Sequence, residues 1–264
     1  RLDDAQAQGD RIYAVIKGIG GAHGATGAER QTNVEAYCAS IERACGEAKI
    51  SPAAIGLMEC HGSGIPGEDA TEAKALMRFF TENVPEPDFS VAVGALKPQI
   101  GNTGATAGLA SLAKAALSLF HQLIPAIPNF NTPPVSLWDK RQFHFPRQTT
   151  YWAHDRIAGA RTTCVAAMTR DGNCMHAVLG QADDSNASNA STALPPDFER
   201  SRPLGPLPYA LYVIQGEDGA GLRVNTKRLE TLARQMQPSL SKDSATAMEA
   251  LAHAWYRQVP PIKK

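Results

Sequence analysis

The 264-residue chain predicts a layered α/β fold, on three observations. Short β-prone runs alternate with segments of helical periodicity. A strand over 89–93 feeds a glycine-rich turn and a long small-residue helix. The patterned region then closes on a strand–turn–strand signal. Strands that alternate with helices and finish antiparallel argue for one layered domain, here ending near Gln181.

Taken in order, Arg1–Asp10 is polar and helix-prone, and Ile12–Ile16 (IYAVI) predicts a buried strand. The glycines of GIGGAHGATG (18–27) follow it, but no helix starts there to bring N–H groups onto a pyrophosphate. That stretch reads as a surface loop and not as a dinucleotide site. Asn33 caps a helix to Ala48, with Val34, Tyr37, Cys38, Ile41 and Ala44/Cys45 at helical spacing. Ile55–Cys60 is a strand ending at His61-Gly62-Ser63-Gly64, and Asp69–Thr81 a helix with Ala73, Leu76, Met77 and Phe80 on one face. In the central unit, Phe89–Val93 is a strand and Lys97 and Asn102 stand in the turn. The helix Thr103–His121 carries so few large side chains that it reads as buried between layers.

Pro125–Pro134 is an extended connector. Gln148–Trp152, Thr162–Met168 and Cys174–Leu179 are strands, the last two forming a hairpin about Asp171-Gly172-Asn173. Residues 1–182 thus make the main domain, and 183–197 (DDSNASNASTALPPD) a linker by composition. Residues 198–264 make a small α/β appendage, with a strand at Tyr209–Ile214 and helices at Thr226–Met236 and Ser244–Gln258.

Twenty-six basic residues against 26 acidic ones, with a pI near 7.2, give no field to draw nucleic acid or an anionic membrane. The most apolar run, Leu109–Ile127, contains Lys114 and His121 and is no membrane span. The five cysteines (38, 45, 60, 164 and 174) make no CxxC pair and no metal spacing. They fit buried thiols in a reducing cytoplasm better than a disulfide framework or a metal site. Arg1 opens the chain without Met or a targeting pattern, as expected of a piece of a longer polypeptide.

Four segments, in order, resemble the C-terminal half of β-ketoacyl synthases. HGSGIPGEDATEAKAL (61–76) is similar to that family's HGTGTxxGDxxEAxAL, and GALKPQIGNTGATAG (94–108) to its GSxKxxxGHxxxAAG. CMHAVLG (174–180) resembles the closing NxHxVLE strand, and GDRIYAVIKG (9–18) the strand that opens that half. The resemblance covers roughly residues 1–181. It implies a thiolase-like fold, in which two βα halves pack into an αβαβα sandwich that dimerises. The half that holds the nucleophilic Cys is not among these residues.

The chemistry implied is decarboxylative Claisen condensation: malonyl carried on acyl carrier protein loses CO2, and the enolate attacks an acyl thioester on a Cys. No cofactor is implied beyond the phosphopantetheine of the carrier. The implied partners are the N-terminal half, acyl carrier protein, a second copy or homologue in a dimer, and neighbouring megasynthase domains such as an acyltransferase. By the same resemblance His61 matches the first catalytic histidine, a donor to the malonyl thioester carbonyl. Lys97 matches the lysine that supports the histidine network, and Glu72 the acid of the same cluster. Ser63 and Ile65 fall where the family places hydroxyls at the phosphopantetheine arm, and His176 near the active centre.

Three departures qualify the match. Asn102 stands for the second histidine, as in initiating synthases with a Cys–His–Asn site; an amide donates a hydrogen bond but relays no proton. Ile65 replaces a threonine, and Met168-Thr169-Arg170-Asp171-Gly172 replaces the family's GFGG gating turn. Three readings follow. The first is a degenerate partner of the chain-length-factor type in a polyketide or polyunsaturated fatty acid synthase, which shapes the acyl pocket and the dimer. The second is half of an active condensing enzyme, and the third a structural docking module.

Overall fold

The first of two units in the computed structural model is organised around a mixed sheet. Its strands are β1 (Val15–His23), β2 (Ile55–Cys60), β3 (Val91–Ala95), β5 (Phe143–His144), β7 (Thr162–Met168) and β8 (Asn173–Gly180). Their spatial order is β1-β8-β7-β2-β3-β5. β2 runs parallel to β7 and β3, and β3 parallel to β5, while β8 lies antiparallel between β7 and β1. β4 (Leu123–Ile124) and β6 (Thr150–Tyr151) form a separate antiparallel ladder. The structure describes residues 1–24, 33–84, 90–128, 130, 142–154, 159–182, 210–236 and 244–258. The two units are Arg1–His154 with Ala158–Ser191, and Asp155–Ile157 with Thr192–Lys264.

Alternation along β2 divides the core in two. Met58 and Cys60 pack with Tyr37, Ile41, Leu76 and Phe80 of α2 (Val34–Ala48) and α3 (Pro66–Asn83). Leu57 faces the other way and packs with Ala115 and Leu119 of α5 (Ala105–His121), and with Trp152. The result is helix, sheet and helix in three layers. α1 (Leu2–Gln8) buries no residue, and the one-turn α4 (Lys97–Ile100) falls between β3 and α5. The cap expected of Asn33 is formed: its Oδ1 accepts the Ala36 N–H at 2.8 Å.

Several expectations need correction. β1 runs through Gly18, Gly20 and Gly21, which the sequence reads as a surface loop. A Cβ at Gly18 would lie 2.4 Å from the Ala44 carbonyl oxygen, and one at Gly20 would lie 2.0 Å from that of Ser40. The glycines are there because α2 lies directly on the strand, with no room for side chains. α3 begins at Pro66, ahead of the expected Asp69, because proline suits the first helical turn. α5 is not enclosed: Ala107, Ser111, Ala115 and Ser118 are buried, while Ala105, Leu109, Ala113 and Leu117 form an exposed stripe.

In the second unit α6 (Gly219–Met236) starts seven residues before the expected Thr226, and α7 is Ser244–Gln258. Residues 210–216 are not a strand. Their carbonyls meet side chains instead: Trp255 Nε1 donates to the Val213 oxygen at 2.8 Å and Asn225 Nδ2 to that of Gln215 at 2.8 Å. The linker expected at 183–197 lies outside the described residues. No helix among the described residues is long and apolar enough to cross a membrane.

Candidate functional site

β2 ends at Cys60, and the chain turns through Gly62 (φ 49°) and Gly64 (φ 77°) into α3. Glycine is needed at such positive φ values. His61 therefore stands at the carboxyl end of a parallel strand, where α/β sheets gather polar groups. Glu72, in the second turn of α3 and 3% exposed, reaches back to hold this turn. Its Oε1 accepts the His61 N–H at 2.8 Å and the Tyr37 hydroxyl at 2.9 Å; its Oε2 accepts the Gly62 N–H at 2.9 Å. Burial pushes the Glu72 carboxyl up and these three donors pull it back. Three donors and no acceptor fit the ionised form.

The imidazole is held from the other side. Nδ1 of His61 accepts the Met168 N–H at 3.1 Å from the end of β7 and lies 3.2 Å from Lys97 Nζ, which also donates to the His61 carbonyl oxygen. With donors on Nδ1, the proton of the neutral ring belongs on Nε2. Burial, and then the Lys97 charge, lower His61 to about 4. Burial also lowers the Lys97 ammonium. At neutral pH the site thus offers a neutral imidazole whose Nε2–H can donate to a carbonyl or a developing oxyanion. Glu68 Oε2 stands 3.8 Å from that Nε2.

Ser63 folds the loop as well. Its Oγ donates to Asp69 Oδ1 at 3.4 Å and accepts the Ile65 N–H at 3.1 Å, while Asp69 Oδ1 also takes the Gly64 N–H at 3.2 Å. Ile65, exposed, is the residue before α3. Asn102 is exposed, and its Oδ1 accepts the Gly104 N–H at 3.2 Å.

The structure brings His61, Lys97 and Glu72 into one hydrogen-bonded cluster, and Asn102, Ser63 and Ile65 are not bonded to its side chains. His176 is elsewhere. It is 1% exposed against α2, with Nδ1 2.6 Å from Ser40 Oγ and its ring edge-on to Tyr37 at 4.4 Å. Burial lowers it to about 3. It is a core residue that backs the Tyr37–Glu72 bond, with no surface to offer a substrate arm.

Sequence reasoning missed three members. Tyr37 carried only a helical-core signal, Met168 acts through its backbone, and Glu68 lay unremarked inside a matched motif. Beneath the cluster, Glu59 of β2 (1% exposed) pairs with Lys114 of α5 at 2.8 Å, and its Oε1 has no partner. The five cysteines are buried thiols outside any disulfide, with burial pushing Cys38 and Cys45 up to about 11 and Cys60 and Cys164 up as well. Raised in this way, those four are not activated nucleophiles. Among the described residues no group of His, Cys, Asp and Glu could hold a metal.

Residues 13–131 match the β-ketoacyl synthase C-terminal domain. The chain is 34% identical, over 74% of its length, to a mycocerosic acid synthase-like polyketide synthase of Mycolicibacterium smegmatis. It is 30% identical, over 86% of its length, to a highly reducing polyketide synthase of Penicillium crustosum. It spans 9% and 10% of those two proteins. Among solved structures it is similar to the PfaC keto synthase–chain length factor, with TM-score 0.62 and 29% identity, covering 74% of this chain and 20% of that one. It is also similar to the module 1 ketosynthase of the Bacillus amyloliquefaciens bacillaene synthase, with TM-score 0.61 and 25% identity, covering 69% of this chain and 35% of that one. The fold is thiolase-like, as in these ketosynthases.

Proposed function

Because residues 13–131 of this chain are a β-ketoacyl synthase C-terminal domain, we propose that they serve as the histidine-bearing half of a ketosynthase-like domain in a polyketide-type megasynthase. We take the role to be that of a chain-length-factor-type partner, which shapes an acyl pocket and a dimer without condensing. Asn102 carries this reading: it is exposed, its oxygen is tied to the Gly104 N–H, and an amide relays no proton. Ile65 in place of a hydroxyl, and the 168–172 segment in place of a glycine-rich gate, support it. Residues 198–264 are then the linker that follows such a domain.

The N-terminal half is the partner that fits the open side of α5. Leu109 (67% exposed) and Leu117 lie there, with Ile19 and Met175 on the sheet face opposite α2. An apolar surface of that kind marks an interface.

One observation favours the active alternative, a Cys–His–Asn site. With donors on Nδ1, the His61 ring keeps an Nε2–H that can donate to a thioester carbonyl. The experiment uses the full polypeptide with acyl- and malonyl-loaded carrier protein, read by mass spectrometry. Carrier docking without β-ketoacyl product is the outcome expected. Product formation overturns the non-condensing reading in favour of the active one.

A further inference from the structure

We propose that Glu68 is a resident carboxylate over the His61 donor, which bars anionic, malonyl-type acyl units from this site and admits uncharged ones. The proposal rests on the ketosynthase reading of His61 and adds a selectivity to it.

Three observations carry it. Glu68 Oε2 lies 3.8 Å from His61 Nε2, with the two side chains 26% and 12% exposed, so the carboxylate sits at the mouth of the site and not out in solvent. Nδ1 is closed by the Met168 N–H and Lys97, which leaves Nε2–H as the ring's one outlet, and Glu68 faces it. In HGSGIPGEDATEAKAL, Glu68 occupies the position where the pattern HGTGTxxGDxxEAxAL has its third glycine. A carboxylate therefore stands where that pattern carries no side chain.

The Lys97 charge acts on Glu68, but it is shared with Glu72, Glu59 and Asp69. Its ammonium hydrogen-bonds to His61, and Asp69, the residue after Glu68, adds a second negative group, bonded to Ser63 and Gly64. A malonyl unit carries its carboxylate one carbon from the thioester carbonyl. Seating that carbonyl on Nε2–H brings two carboxylates within a few ångströms, a repulsion on the order of a hundredfold in affinity at a partly buried site. An acetyl-type unit has only to displace Glu68 from the donor. The backbone at Glu68 is fixed, since the Asp69 N–H donates to the Ile65 oxygen at 2.9 Å, so the barrier is built into the first turn of α3.

The test uses the full polypeptide that contains these residues, as wild type, Glu68→Gln and Glu68→Gly. The probes are non-hydrolysable acetyl- and malonyl-pantetheine analogues, with Kd measured by calorimetry. Wild type should favour the acetyl probe at least tenfold. Both variants should close that gap by tightening the malonyl probe. Release of CO2 from malonyl-pantetheine should rise tenfold or more in Glu68→Gly. In that step the C–C bond to the carboxylate breaks with loss of CO2, its electron pair moves to the enolate oxygen at Nε2–H, and the enolate carbon then takes a proton from water to leave acetyl-pantetheine. Equal selectivity in all three proteins overturns the proposal. Relief in Glu68→Gly alone overturns the charge argument, because Gln keeps the size of Glu. Failure of both probes to bind any of the three overturns the ketosynthase reading itself, and this proposal with it.

Discussion

The Glu72 carboxylate accepts the His61 backbone N–H at 2.8 Å, so the acid fixes the histidine's main chain and never touches its ring. Replacing it should therefore unsettle the turn. Glu72→Ala strands three donors, two of them backbone groups, and should cost about 2–4 kcal/mol of stability. Tyr37→Phe removes one of the three bonds and should cost about 1 kcal/mol. Denaturant titration compares them. Equal losses would show that Glu72 is not the hub.

Lys97 acts on the ring through its charge. In Lys97→Met the His61 imidazole should rise from about 4 but stay below its ordinary 6.5, because burial, the larger cause, remains. The Met168 N–H still holds Nδ1, so the tautomer should persist. An NMR titration of His61 reads both. An unchanged value means that the Lys97 charge does not reach the ring.

The parts of this fold legible in the sequence are those settled locally. The Asn33 cap, β2 and the hairpin about Gly172 need only neighbouring residues to specify them, and each forms where expected. The sequence marks a strand at Ile12–Ile16, but the run of β1 on through Gly18–His23 is not legible there, because its glycines answer to α2, a contact that only tertiary packing supplies. The site divides the same way. His61, Lys97 and Glu72 lie in readable motifs, whereas Met168 meets His61 across 107 residues and through a backbone N–H that no side-chain pattern records. His176 matched a motif yet turned to the core, because strand alternation points it at Ser40.

His176 sets a pH dependence. Its folded pKa is lowered to about 3, so the folded state refuses a proton that the unfolded chain accepts below about 6.5. Stability is thus undiminished above 6.5 and is lost as pH falls towards 3, by about 4–5 kcal/mol over the whole window. The raised carboxyls of Glu59 and Glu72 act with the opposite sign. The clean measurement is a difference: the stability of wild type relative to His176→Phe should fall steadily from pH 6.5 downward. A flat difference would mean that His176 is protonated in the folded protein.

The Glu59–Lys114 pair ties the strand that precedes His61 to the helix that follows Asn102. Gly94 makes room for it, since a Cβ there would lie 2.5 Å from Glu59 Oε2. Removing one partner leaves a buried charge, so Lys114→Met alone should cost about 3–5 kcal/mol. The double variant Glu59→Met/Lys114→Met removes both desolvation penalties and should return to within about 1 kcal/mol of wild type. A double-mutant cycle decides it: additive losses would show that the two charges are independent.

The exposed stripe on α5 gives the last expectation. Ala105, Leu109, Ala113 and Leu117 recur every fourth residue, which lines them along one side of the helix. Leu109 at 67% exposed is a larger apolar area than a helix between layers would leave open. If the N-terminal half covers this side, residues 1–264 alone should self-associate through it. Leu109→Lys with Leu117→Lys should then make the isolated chain monomeric in sedimentation, because charge on both positions cannot be buried without a partner. The same pair of substitutions should weaken folding in the full polypeptide, where burial of each leucine is worth about 1.5–3 kcal/mol. Opposite effects in the two settings are what the covered face requires. An isolated chain that is monomeric before the substitutions, and a full polypeptide indifferent to them, would leave α5 facing solvent in both and remove the stripe from the interface.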